Sequence, residues 1–189
     1  MNTQLFEGEL VRLAPPEPER DAEIESRWTH DAEYMRQSSA DPVRPLSPTL
    51  IKKKYEEAEK EKATNRFHFA IRAKADDRLV GFVRLNHIEW NNGTGHVALG
   101  IGDANDRGHG YGAEALKLIL RYAFAELNLY RVTADTIEYN ERALRFLERA
   151  GFVAEVRRRQ AVHRDGKRWD AIKLGLLRDE WERVAEEIQ

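Results

Sequence analysis

Residues 97–120 read VALGIGDANDRGHGYGAEALKLIL, and they divide into a strand, a glycine-rich turn and a helix. In the strand, Val97, Leu99 and Ile101 alternate with Ala98, Gly100 and Gly102, which gives one bulky face and one bare face. Glycine inside a strand marks a bulge or the close approach of a ligand or another backbone. The turn holds Arg107, Gly108, Gly110 and Gly112, and glycines there permit positive φ and leave amide N–H groups uncovered. Ala113, Leu116, Leu120, Ala123 and Leu127 then recur at the spacing of a buried helix face. A helix N-terminus with free amides and the positive end of a dipole seats phosphate. The ligand implied carries phosphate and lays its remaining length along the bare strand.

The rest of the chain frames this unit. It has 189 residues, enough for one domain with a sizeable core, and we expect a single domain over residues 1–189. Charged residues make up 34% at a net charge of −2, which argues against binding nucleic acid by bulk electrostatics. There is no cysteine, so disulfides, thiolate metal sites and a cysteine nucleophile are excluded, and no metal is expected. No apolar run reaches membrane-spanning length and the N-terminal ten residues lack leader character, so a cytoplasmic protein that does not bind membrane is expected.

Before the central unit, residues 9–13 predict a first strand and residues 19–30 a helix. Residues 31–48, with prolines at 42, 45 and 48, predict an irregular loop. Ser47 and Pro48 supply an N-cap and a first-turn proline for a charged helix over residues 49–62. Residues 67–73 and 80–87 form a hairpin around the polar turn 74–77, and Asn91-Asn92-Gly93 turns into the central strand. After the central helix, residues 130–136 predict a strand parallel to its predecessor, because a helix crosses between them. Asn140 caps a further helix that Gly151 stops, residues 153–162 and 169–177 form a closing hairpin, and a charged helix ends the chain.

Arg107-Gly108-His109-Gly110-Tyr111-Gly112 resembles the R/Q-x-x-G-x-G/A signature of the GNAT acetyltransferase superfamily. Asn140-Glu141-Arg142-Ala143-Leu144-Arg145-Phe146-Leu147-Glu148-Arg149-Ala150-Gly151-Phe152 is similar to its second element, in the right order and with a strand between. The opening LFEGELVRLAPP and the ending DGKRWD…LLRDEW look like the RimJ/RimL-type branch. The resemblance implies an α/β fold, a mixed and mostly antiparallel twisted sheet of six to seven strands flanked by helices. It also implies transfer of an acetyl group from acetyl-coenzyme A to a primary amine, either a protein N-terminus or a small molecule.

On that reading Arg107, Gly108, His109, Gly110, Tyr111 and Gly112 hold the pyrophosphate, Leu99, Gly100 and Ile101 pair with the pantetheine arm, and Asn140 lies near the cofactor. A backbone N–H near Leu99 or Gly100 polarises the thioester carbonyl. His96 occupies a position that is often glutamate in RimJ/RimL-type relatives, and a histidine there can deprotonate an ammonium. Glu89 is a second candidate base, while Glu33 and Tyr34 fall where relatives shape the acceptor pocket. The chain departs from the family at the thiolate acid: Leu147 replaces the usual tyrosine and Ala143 the serine of some RimJ/RimL members.

Three alternatives stand beside this one. A non-catalytic acetyl-coenzyme A sensor would need no acid. A dinucleotide enzyme would use Gly108, Gly110 and Ala113 with Asp135 as ribose ligand, and a purely structural glycine turn would need no ligand. A homodimer is compatible with the sequence, although no exposed apolar stripe demands one.

Overall fold

The computed structural model describes residues 4–60 and 64–187. A strand β1 (Val11–Ala14) leads into helices α1 (Pro18–Trp28), α2 (Ala32–Ser38) and α3 (Pro48–Lys60). Strands β2 (Phe67–Ala73), β3 (Leu79–Glu89) and β4 (Thr94–Ile101) follow, then α4 (Tyr111–Arg121), β5 (Arg131–Ile137) and α5 (Glu141–Arg149). The hairpin β6 (Val153–Arg164) and β7 (Lys167–Leu177) and the helix α6 (Arg178–Glu187) complete the order. The seven strands make one sheet in the order β1-β2-β3-β4-β5-β7-β6. Every neighbouring pair is antiparallel except β4 and β5. An antiparallel meander therefore precedes the glycine turn, and the successive βαβ units that a dinucleotide fold requires do not occur among the described residues.

Strand alternation sends Ile71, Val83, Leu85 and Val97 to one face, where they bury against Leu116, Ile119 and Leu120 of α4. Trp28, Tyr34, Ala70 and Leu79 form a smaller cluster on the opposite face. That second face also holds an ion pair. Arg72, fully buried on β2, donates to both oxygens of the equally buried Asp21 on α1 at 2.9 and 3.0 Å. Glu17 lies 3.1 Å from the same guanidinium nitrogen. A buried charge is tolerated only when it is paired and hydrogen-bonded, so this contact fixes where α1 crosses the sheet.

The segment expected to be a loop contains α2. Asp31 caps it, its carboxylate accepting from the amides of Glu33 (2.9 Å) and Tyr34 (3.2 Å). The prolines lie beyond the helix and do not interrupt it. Ser47 caps α3 as expected through the Leu50 amide at 3.3 Å. The expected end of that helix, at Lys62, lies outside the described residues. The α4 helix does not run on to Leu127, because residues Tyr122–Glu126 widen into a π-helical turn. The extra residue shifts the helix phase there. Ala113, expected in the core, is exposed in the first turn. Among the described residues, no helix is long and apolar enough to cross a membrane.

Candidate active site

The turn between β4 and α4 is built on two left-handed glycines. Gly108 has φ +87° and Gly110, the N-cap of α4, has φ +88°, a region that costs a residue with a Cβ. The Arg107 amide donates to Ala104 O at 3.2 Å, and the next amide with an acceptor is that of Glu114, to Gly110 O at 3.0 Å. The N–H groups of residues 108–113 between them have no acceptor among the described residues. Such a run of unpaired amides at the first turn of a helix is an anion cradle.

Glu114 would repel an anion there, but its carboxylate turns away. It accepts from the amides of Glu9 (2.7 Å), Leu10 (2.8 Å) and Val11 (2.7 Å) and ties α4 to β1. The Arg107 side chain is mostly buried and also engaged. It donates to Gly102 O at 2.9 Å and Ile101 O at 3.4 Å, lies 3.6 Å from Asp31 and stands 5.6 Å from the Tyr34 ring centroid. His109 is exposed and Tyr111 and Gly112 are half-buried around the cradle.

Along β4 the small residues make room for rings. A Cβ on Gly100 would lie 2.9 Å from Phe82 and 3.2 Å from the Tyr34 hydroxyl, and one on Gly102 would overlap Trp28. The face read as bare in the sequence is thus filled by the protein. What stays open is the strand edge. β4 pairs with β5 only at Thr94, Gly95 and His96, whereas β5 continues to Ile137 against β7. Beyond His96 the two parallel strands part, and the backbone groups of Leu99 and Gly100 that face β5 have no strand partner there.

His96 stands at this divergence. Its Nδ1 lies 3.2 Å from Thr133 Oγ1, and the same hydroxyl donates to Gly95 O at 3.2 Å. Burial pushes the imidazole pKa below its ordinary value; Lys173 and His87 push the same way and Asp135 opposes them. These residues line a hollow of about 350 Å³ together with Glu89. Glu89 Oε2 accepts from Asn92 Nδ2 (2.8 Å) and Thr94 Oγ1 (3.3 Å) and so closes the preceding turn.

Asn140 caps α5 through the Ala143 amide at 3.1 Å, and its Nδ2 donates to Gln37 O at 3.2 Å, which links α5 to α2. Glu33 is exposed on α2 and accepts from Gln37 at 3.1 Å. Tyr34 points the other way, under the sheet, where burial pushes its phenol up to about 12. Leu147 is buried in the main core.

The Acetyltransferase (GNAT) domain family matches residues 11–153, three quarters of the chain, which include the glycine turn, β4, β5 and Asn140. The chain belongs to this family. Among relatives, the probable N-acetyltransferase YjcK of Bacillus subtilis (strain 168) is 38% identical over 114 residues, which cover 59% of this chain and 61% of that protein. The chain thus spans about three fifths of the length of the curated relatives it matches. A putative acetyltransferase from T. thermophilus superposes with a TM-score of 0.77 at 27% identity, over 97% of this chain and 94% of that one. The spermidine N-acetyltransferase from Vibrio cholerae, solved with CoA and spermine, superposes at 0.81 with 18% identity over 93% and 99%. It shares the GNAT fold with this chain.

The sequence did not disclose a polar group that faces the same ground as Tyr34. Glu25 on α1, Tyr55 on α3, His68 on β2 and Arg84 on β3 meet beneath the sheet. The Tyr55 hydroxyl donates to Glu25, and its ring stacks on His68 at 5.4 Å. Burial raises the Glu25 carboxyl and lowers the His68 imidazole to about 3. In the sequence Tyr55 reads as part of the apolar stripe of its helix, and no local signal brings Glu25, His68 and Arg84 to it.

Proposed function

We propose that this GNAT protein is an N-acetyltransferase, of the RimJ/RimL type, that moves an acetyl group from acetyl-coenzyme A to a primary amine. The observation that carries the reading is the run of unpaired amides at residues 108–113 beside the parting of β4 from β5. The amides fit a diphosphate and the open edge of β4 fits an extended arm with amide groups of its own. Acetyl-coenzyme A supplies an activated acyl group, which a neutral amine attacks directly with the thiol as leaving group.

The chain contributes charge stabilisation and a base. An N–H of Leu99 or Gly100 on the open edge donates to the acyl oxygen as negative charge develops on it. His96 takes the proton of the incoming ammonium. The Thr133 hydroxyl spends its hydrogen on Gly95 O, so its oxygen accepts from Nδ1–H of His96, and Nε2 is the basic nitrogen. Burial lowers its pKa and so favours the neutral ring that can accept a proton. Glu89 is committed to its turn and is the weaker candidate. With Leu147 and Ala143 in place of a side-chain acid, the leaving thiolate takes its proton from water or the hydrogen it receives is that of the attacking amine.

Thermal unfolding with acetyl-coenzyme A, against nicotinamide cofactors, and thiol release with a panel of amines test the proposal together. A ligand at a hundred times its Kd adds about 2.7 kcal/mol of stability. Stabilisation by acetyl-coenzyme A with amine-dependent thiol release is expected. Stabilisation without turnover on any amine would leave the sensor reading, and no stabilisation would remove both.

A further inference from the structure

The second face of the sheet carries an arginine, Arg84, that no carboxylate among the described residues pairs with at ion-pair distance. Phe82, Arg84 and Asn86 of β3 lie opposite Gly100, Ala98 and His96 of β4 and share the face that Tyr34 and α1 cover. Arg84 is half-buried, and its guanidinium stands 4.3 Å above the Phe82 ring centroid. It makes no hydrogen bond and no ion pair among the described residues. Arg72, on the same face, is paired with Asp21 through Nη2. Glu25, the carboxyl whose titration feels Arg84, is buried and bonded to Tyr55 and lies outside ion-pair distance.

The register places Arg84 between the two working positions. Ala98, its cross-strand neighbour, lies one two-residue step from His96 and one from Gly100, each about 7 Å along the strand. A guanidinium with five donors on a fixed fork matches a carboxylate better than any other common group, and the ring beneath it holds the fork in place. An unpaired, half-desolvated cation is costly unless a ligand completes it.

We propose that Arg84 binds a carboxylate on the acceptor, so that the substrate class is an amine that carries a carboxylate close to its amino group. This rests on the acetyltransferase reading and narrows it. The carboxylate can be the α-carboxylate of a free amino acid or the side chain of an acidic residue at a peptide N-terminus. A polyamine, which has only cations to offer, is disfavoured by the same guanidinium.

The test uses the whole chain and matched pairs. One set pairs amino acids with their α-carboxamides; the other pairs short amidated peptides that begin with Asp or Glu with their Asn or Gln counterparts, and spermidine is added. Thiol release gives kcat and KM, and calorimetry gives the binding of each compound to coenzyme A-loaded protein and of coenzyme A itself. At least one carboxylate is expected to exceed its amide in kcat/KM by about tenfold to a hundredfold, the worth of a charge-assisted hydrogen-bonded pair. Arg84→Met should erase that ratio through KM while the amide stays within about threefold, and Arg84→Lys should restore part of it. The set in which the ratio occurs tells the free amino acid from the peptide.

Equal use of both members of every pair overturns the proposal, as does a panel in which spermidine is preferred or an Arg84→Met loss that falls equally on acid and amide. A panel with no turnover and no carboxylate bound to the loaded protein overturns it too. Coenzyme A affinity separates the two levels. Arg84→Met should leave it unchanged, and failure of the wild-type protein to bind coenzyme A would defeat the acetyltransferase reading instead.

Discussion

Replacing His96 by glutamine removes the basic nitrogen and keeps an amide that can still reach Thr133. A positioned general base contributes about 10²–10⁴ to the rate, or about 2.7–5.4 kcal/mol in activation free energy. Because burial favours the neutral ring, most wild-type molecules carry the base at pH 7, and the loss should appear there. The sign of the pH dependence follows from the same shift. Only the neutral ring accepts a proton, so log kcat/KM should climb with unit slope at low pH and level off below the ordinary histidine value of about 6.5. Neighbouring charges should move that limb in opposite directions. Asp135→Asn removes the carboxylate that favours the imidazolium, leaves Lys173 at 3.7 Å without its partner and carries the limb lower. Lys173→Met removes a cation that disfavours the imidazolium and carries the limb higher. The assay is initial-rate thiol release from pH 5 to 9 under kcat/KM conditions. A His96→Gln enzyme within threefold of wild type, with its acid limb in place, would refute the assignment of the base.

Asp21→Ala should cost about 3–5 kcal/mol, since it strands the buried Arg72, and should lower Tm by about 6–20 °C in calorimetry. A loss below about 1 kcal/mol would show that water or Glu17 replaces the carboxylate. Gly110→Ala should cost about 1–2 kcal/mol of stability and weaken coenzyme A binding, while Gly166→Ala, at φ +72° in the remote β6–β7 turn, should cost as much and leave binding unchanged. Glu114→Ala should destabilise by about 1.5–3 kcal/mol through three orphaned amides of residues 9–11, measured by denaturant unfolding.

The parts of this molecule that were legible in its sequence are those fixed by local chemistry. Gly110 at a helix start, Ser47-Pro48 before α3, and Asn140 and Gly151 around α5 each determine the backbone within a few residues. The short helix α2 was hidden because its stabilising cap, Asp31, sits before a polar stretch that three later prolines made look irregular. The contacts that shape the second face could not be read. Asp21 and Arg72 are 51 positions apart, Glu114 and Glu9 are 105 apart, and a charged residue that alternates with apolar ones in a strand signals solvent unless a distant helix covers it. Arg84 and Glu25 followed the same rule and were overlooked with them. The bare side of β4 reads in the sequence as the bed of a ligand's arm, whereas Trp28, Tyr34 and Phe82, all distant in sequence or on another strand, are what fill it.

The proposed activity requires the amides of residues 108–113 to receive a diphosphate. Backbone amide NMR of the whole chain, titrated separately with coenzyme A and with pantetheine, measures this directly. Coenzyme A at saturation should move the resonances of those residues more than any others and slow their exchange with solvent, and pantetheine, which lacks the diphosphate, should leave them in place. Saturation by coenzyme A with these amides unmoved, or the same shifts from pantetheine, would contradict it.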